Sequence, residues 1–111
     1  MALYLYEAAY TGESWATQLS KRENVAERVR PLVQKLGGEL KDVWYAFGEY
    51  DVVGLLELPT PEAAAAFSLA ISKGGSVKTS KTTPLLSVEQ GLNAMKLAAE
   101  ASGTYRAPVT A

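Results

Sequence analysis

Two periodicities alternate along this chain, and together they mark out its elements. From Leu3 to Tyr10 the repeat is two: Leu3, Leu5, Glu7 and Ala9 share one face, Tyr4, Tyr6, Ala8 and Tyr10 the other, as in a strand. Gly12 ends it, and Glu13 to Leu19, which carries Trp15, reads as a connecting segment. Ser20 followed by Glu23 has the spacing of a capping box, opening a helix whose Val25, Val29, Leu32, Val33 and Leu36 lie on one stripe. Pro31 within that stripe predicts a kink or two short helices, and Gly37-Gly38 supply the positive-φ stop.

Leu40 to Phe47 and Tyr50 to Leu58 are the next two strands. A two-residue type II′ turn at Gly48-Glu49 joins them, glycine taking the positive φ. This register opposes Phe47 to Tyr50, Trp44 to Val53 and Val43 to Gly54, where the glycine would admit a bulky neighbour or close backbone. Thr60-Pro61 caps and starts a second helix, propagated by alanines 63 to 66, anchored by Phe67, Ala70 and Ile71, and closed by Gly74-Gly75. Ser72 to Ser76 is therefore a cap and turn; a phosphate loop would precede a helix, and this segment follows one. Ser76 to Thr83 is a fourth strand, polar on both faces and carrying Lys78 and Lys81, as an edge strand should be. Pro84 breaks it. Ser87 with Gln90 then caps a last helix running to about Ala101, with Val88, Leu92, Met95 and Ala99 as its apolar stripe.

The order β-α-β-β-α-β plus a terminal helix is that of an α+β, ferredoxin-like split fold: a four-stranded antiparallel sheet with helices on one side. Residues 1–101 form a single domain, and 102–111 a flexible tail or an arm contacting a dimer partner. Helices cover one sheet face only, yet the hairpin is apolar on both. One set of positions holds Val43, Tyr45, Phe47, Tyr50, Val52 and Leu56; the other holds Leu40, Trp44, Ala46, Val53 and Leu55. Four strands of this length present about 350 to 400 Å² on the second face, as much as a monomer normally leaves exposed. A homodimer, or an assembly of dimers, is the expected state; the alternative is that the final helix or tail folds over that face.

Composition narrows the chemistry. The chain has 111 residues, no cysteine and no histidine, which excludes disulfides, thiolate nucleophiles, Ser-His-acid triads and most transition-metal centres within one chain. A formal net charge of -1 and no basic cluster longer than Lys21-Arg22 argue against nucleic acid. The start lacks a signal-peptide pattern and no apolar run approaches a membrane span, so a cytoplasmic, non-membrane protein is expected. Catalysis, if present, must run on carboxylates, Tyr, Lys, Arg, backbone groups or a borrowed cofactor, and the sequence itself implies no cofactor or metal. Carboxylates in a sheet that needs covering are the unusual feature. Asp51 and Glu7 are the candidate bases, with Tyr50 as hydrogen-bond donor. Tyr45, Tyr50, Trp44 and Trp15 are candidate walls for a small apolar or aromatic ligand, and Lys81 and Arg106 candidate counter-charges. Each has a plainer role open to it: Asp51 as acceptor of turn amides, Glu7 in a fixed salt bridge, the aromatic residues as core or interface anchors.

Phe47-Gly-Glu-Tyr-Asp-Val-Val53, Glu57-Leu-Pro-Thr-Pro-Glu-Ala-Ala64, the alanine-rich second helix and Val77-Lys-Thr-Ser-Lys-Thr-Thr-Pro-Leu-Leu86 resemble the GYD-domain family, with Gly48, Tyr50 and Asp51 matching its glycine, tyrosine and aspartate. The resemblance spans nearly the whole chain; the Trp15 loop and Pro31 are less typical. It implies a ferredoxin-like, dimeric α/β-barrel type of fold without an agreed reaction. A small-molecule-binding or assembly module follows most directly. The alternative is a cofactor-free oxygenase or isomerase acting on a small aromatic or enolisable compound, which rests on fold analogy.

Overall fold

The alternating first segment forms strand β1 (Ala2–Tyr10), followed by α1 (Gly12–Ser20), α2 (Val25–Lys35), β2 (Glu39–Tyr45), β3 (Val52–Leu58), α3 (Pro61–Lys73), β4 (Val77–Leu85) and α4 (Val88–Ala101), with a 3-10 turn at Ser102–Thr104. This computed structural model describes residues 1–109, so the last two positions of the expected tail lie outside it. The strands pair antiparallel in the order β2-β3-β1-β4, the ferredoxin-like α+β arrangement.

Several local expectations are corrected. The segment carrying Trp15 is a helix, begun by Thr11, whose hydroxyl accepts the Ser14 amide at 3.1 Å. Ser20 closes that helix instead of opening the next. The cap of α2 is Asn24, whose side chain accepts the Ala26 amide at 2.8 Å immediately before the buried Val25 begins the apolar stripe. Pro31 lies inside α2 on its exposed side, and α2 is one helix, not two short ones. Pro84 likewise does not end β4, which continues to Leu85, pairing Pro84 with Tyr4. An edge strand tolerates the missing N–H because that side can face solvent. In α3 the anchors are Ala64, Phe67 and Ile71, whereas Ala70 is exposed.

The hairpin keeps its expected register, Val43 opposite Gly54 and Trp44 opposite Val53, but not its expected turn. β2 stops at Tyr45 and β3 starts at Val52, so the tip is wider than two residues. Phe47, not Gly48, takes the left-handed backbone, at φ 54°. The Gly48 amide donates to the Tyr50 carbonyl at 3.0 Å and the Ala46 amide to the Asp51 carbonyl at 2.9 Å. At the other end, a bulge between Leu40 and Asp42 shifts the phase of β2. Leu40 thus joins Val43 towards the helices, rather than Trp44 on the opposite side.

The core lies between the sheet and α2 and α3, with Tyr4, Tyr6 and Tyr10 of β1, Val52, Leu56 and Leu58 of β3, and Val33 and Phe67 from the helices. Gly37 stops α2 at φ 85°, and Gly38 lies so close to the Glu57 carbonyl that a Cβ would meet it at 2.2 Å. The other sheet face carries cross-strand rows: Trp44, Val53, Glu7 and Lys81; Asp42, Leu55, Leu5 and Thr83; then Glu39, Glu57, Leu3 and Leu85. Among the described residues, the helices that pack on the sheet, α2 and α3, lie on the opposite face. Helix α4 leaves from the Leu3 and Leu85 end, its Glu89 and Asn93 lining a recess with those residues. Its stripe residues Val88, Leu92 and Met95 are 82%, 59% and 68% exposed. The radius of gyration, 17.9 Å, exceeds the about 13 Å of a compact domain this long, as an extended terminal arm requires. Among the described residues no helix is long and apolar enough to cross a membrane.

Candidate functional site

The hairpin tip separates the predicted site residues into two groups. Asp51 turns towards the helices. Its carboxylate Oδ2 accepts the Tyr10 amide at 2.8 Å and the Trp15 indole N–H at 3.3 Å, while its own amide donates to the Ala8 carbonyl at 2.9 Å. Where β3 leaves its ladder with β1, the aspartate side chain thus replaces the missing backbone acceptor. An anionic acceptor with two donors makes this a strong tie between β1, α1 and the tip.

An aromatic chain packs beside that tie. The Tyr10 ring meets Trp15 edge-on with centroids 5.2 Å apart, Trp15 lies tilted on Phe47 at 5.9 Å, and Phe47 stacks on Tyr45 at 5.7 Å. Each geometry is among those aromatic pairs favour. Phe47, at φ 54°, is the one residue of this chain of rings with a left-handed backbone. Tyr10 also accepts a long hydrogen bond from the Arg28 guanidinium, 3.4 Å from Nη2 to the phenol oxygen. Burial pushes the Tyr10 phenol above its ordinary 10.0, a rise that the Arg28 charge partly offsets. Sequence reasoning missed Tyr10, Phe47 and Arg28, because their roles depend on where α1 and α2 sit over the end of the sheet.

Tyr50 goes the other way. On the open sheet face it lines a shallow recess of about 300 Å³ with Glu7, Glu49, Val53 and Lys81. Glu7 and Lys81 are register partners of β1 and β4, yet do not close to ion-pair distance; among the described residues the ion pair is Lys41 with Glu39, at 3.6 Å. A carboxylate, an ammonium and a phenol therefore share one water-accessible recess. Together they can hold a polar group of a ligand. The remaining candidates are apart. Trp44 and Tyr45 border a broad open groove of about 630 Å³ at the β2 edge, with Arg22, Arg30 and Lys41 around it. Arg106 is exposed in the segment after α4 and lines none of these recesses.

A four-stranded antiparallel sheet in the order β2-β3-β1-β4, with one face covered by helices and the other carrying this recess, defines a ferredoxin-like α+β module. The family model described as the GYD domain matches residues 4–95, and the chain belongs to the GYD-domain family. Among solved structures, the chain described as "crystal structure of FFRP-DM1" is similar, with 16% identity and a TM-score of 0.52, covering 78% of this chain and 100% of that one. At that identity the likeness is one of fold. No curated protein matches.

Proposed function

We propose that this chain is a self-associating, small-molecule-binding module whose binding chamber forms when two copies pair through their open sheet faces. The observation that carries this is the uncovered apolar face itself. Leu3, Leu5, Val53, Leu55, Leu85 and Trp44 stand on it in register, without a helix above them. Such a patch is large for a monomer, and pairing two copies about a two-fold axis is the commonest way to bury one. The α4 helix supports the same conclusion. A 14-residue helix with few contacts to its own domain is marginal in water, and its exposed stripe needs an apolar surface to lie on. The second copy supplies one. Within such a pair the Glu7, Lys81 and Tyr50 recess is closed over, and its charges gain strength as water is excluded.

Light scattering at micromolar concentration tests the pairing. The expected mass is about twice the 11.9 kDa of one chain. Leu5→Glu with Leu55→Glu is expected to return it to one chain's mass with the circular dichroism of the fold retained. A wild-type monomer at that concentration refutes the proposal.

A further inference from the structure

The geometry points to a second binding site, inside the protomer: the seam between α2 and α3 takes a short apolar carboxylate, its hydrocarbon body over Gly54 and its carboxylate on Arg28. The seam exists because α2 packs on β2 while α3 packs on β4 and β3, leaving the middle of the sheet as a floor between two walls. The resulting crevice has a volume of about 100 Å³. Val25 and Val29 form one wall, Phe67 and Ile71 the other, and Val52 and Gly54 belong to the floor.

Gly54 is what opens it. In the register it stands between Val43 and Tyr6, and nothing in its backbone calls for glycine. A Cβ there would rest 3.7 Å from the Leu56 Cδ2 atom and 4.0 Å from the Asp42 carbonyl, which is ordinary contact. The expected bulky neighbour or close backbone approach is thus not found; the missing side chain leaves room. An apolar cavity of about 150 Å³ accepts benzene, so this one suits a body of about four or five carbons.

The polar groups of the crevice select the head group. Arg28 stands at its rim, held only by the long bond to the Tyr10 hydroxyl, and among the described residues it has no carboxylate partner. Tyr6, 6% exposed, contributes to the wall, and its buried hydroxyl has only a loose contact with the Ser80 side chain. The guanidinium at the rim complements an acceptor-rich anion. A carboxylate on a short branched chain satisfies walls and rim together. The site faces the helices, so pairing through the open sheet face leaves it accessible.

Isovalerate is the probe, titrated into the ¹⁵N-labelled full chain and followed by amide chemical shifts. Saturable shifts at Val29, Gly54 and Ile71 are expected, with isovaleramide or Arg28→Gln binding about tenfold more weakly for loss of the charged pair. Gly54→Val, which fills the floor, should abolish the shifts while the spectrum stays dispersed; if that variant misfolds, Gly54→Ala should still weaken binding severalfold. No saturable shift at tens of millimolar overturns the inference. So do shifts that either Gly54 variant leaves intact, or shifts confined to Glu7 and Lys81, which would mark the crevice as a packing gap.

Discussion

Asp51 joins three parts of the molecule through one carboxylate. Its two donors, the Tyr10 amide and the Trp15 indole, are both part-buried, so removing the acceptor strands them. Asp51→Ala should cost about 1–3 kcal/mol in urea denaturation, and Asp51→Asn, which keeps an acceptor oxygen, distinctly less. Equal losses would mean that the charge, not the geometry, holds the tip. The tyrosines give a pH test. Burial raises the phenol pKa of Tyr6, a rise that a loose contact with the Ser80 side chain partly offsets, and burial likewise raises that of Tyr10. A raised folded value means that the native state keeps its protons while the unfolded chain loses them. The resulting stability is full below the unfolded value near 10.0 and is lost as pH rises through the folded values. Thermal midpoints should therefore fall above pH 10, and Tyr6→Phe should flatten that fall. Tyr6→Phe should also leave neutral-pH stability equal or higher, since the hydroxyl it removes makes no well-formed hydrogen bond.

Two glycines separate signature from structural need. Gly48 belongs to the family motif, yet its φ is not positive and a Cβ there would meet nothing within 4 Å. Gly38, outside the motif, sits against the backbone of β3 at the exit from α2. In chemical denaturation Gly48→Ala should change stability by less than about 0.5 kcal/mol, whereas Gly38→Ala should cost about 1–3 kcal/mol by overpacking. The same contrast explains which elements were legible in advance. Thr60-Pro61 and the Ser87-Gln90 box cap their helices as read, because a cap is completed by residues three or four apart. The Ser20 box failed since Asn24, nearer the first buried residue, offered an equally good acceptor. The tip failed because the stacking of Phe47 on Tyr45 and Trp15 involves α1, which the local pattern concealed.

As a whole, the molecule exposes apolar residues on the open sheet face and along the α4 stripe, which leaves from one end of that face. If a second copy joins them, Leu92→Glu with Met95→Glu in α4 should weaken association at least tenfold in sedimentation while sparing the Asp51 tie and the core. Unchanged association would assign α4 to some other surface. The candidate site divides in the same way. Glu7, Tyr50 and Lys81 were read as base, hydrogen-bond donor and counter-charge, with Asp51 and Arg106 as alternatives, and the sheet order brings those three into one recess; Asp51, Trp15 and Tyr45 belong to the tie at the other side of the tip.

Alternation, stripes and caps were enough for every element type except α1, for the hairpin register, the edge position of β4 and the family, because each is written in contiguous residues or in one short repeat. Three things waited for the fold: which hairpin face the helices cover, where the Asp51 carboxylate turns, and the seam over Gly54. Each depends on contacts between segments tens of residues apart, and a bulge of one residue at Lys41 was enough to move Leu40 from one face to the other.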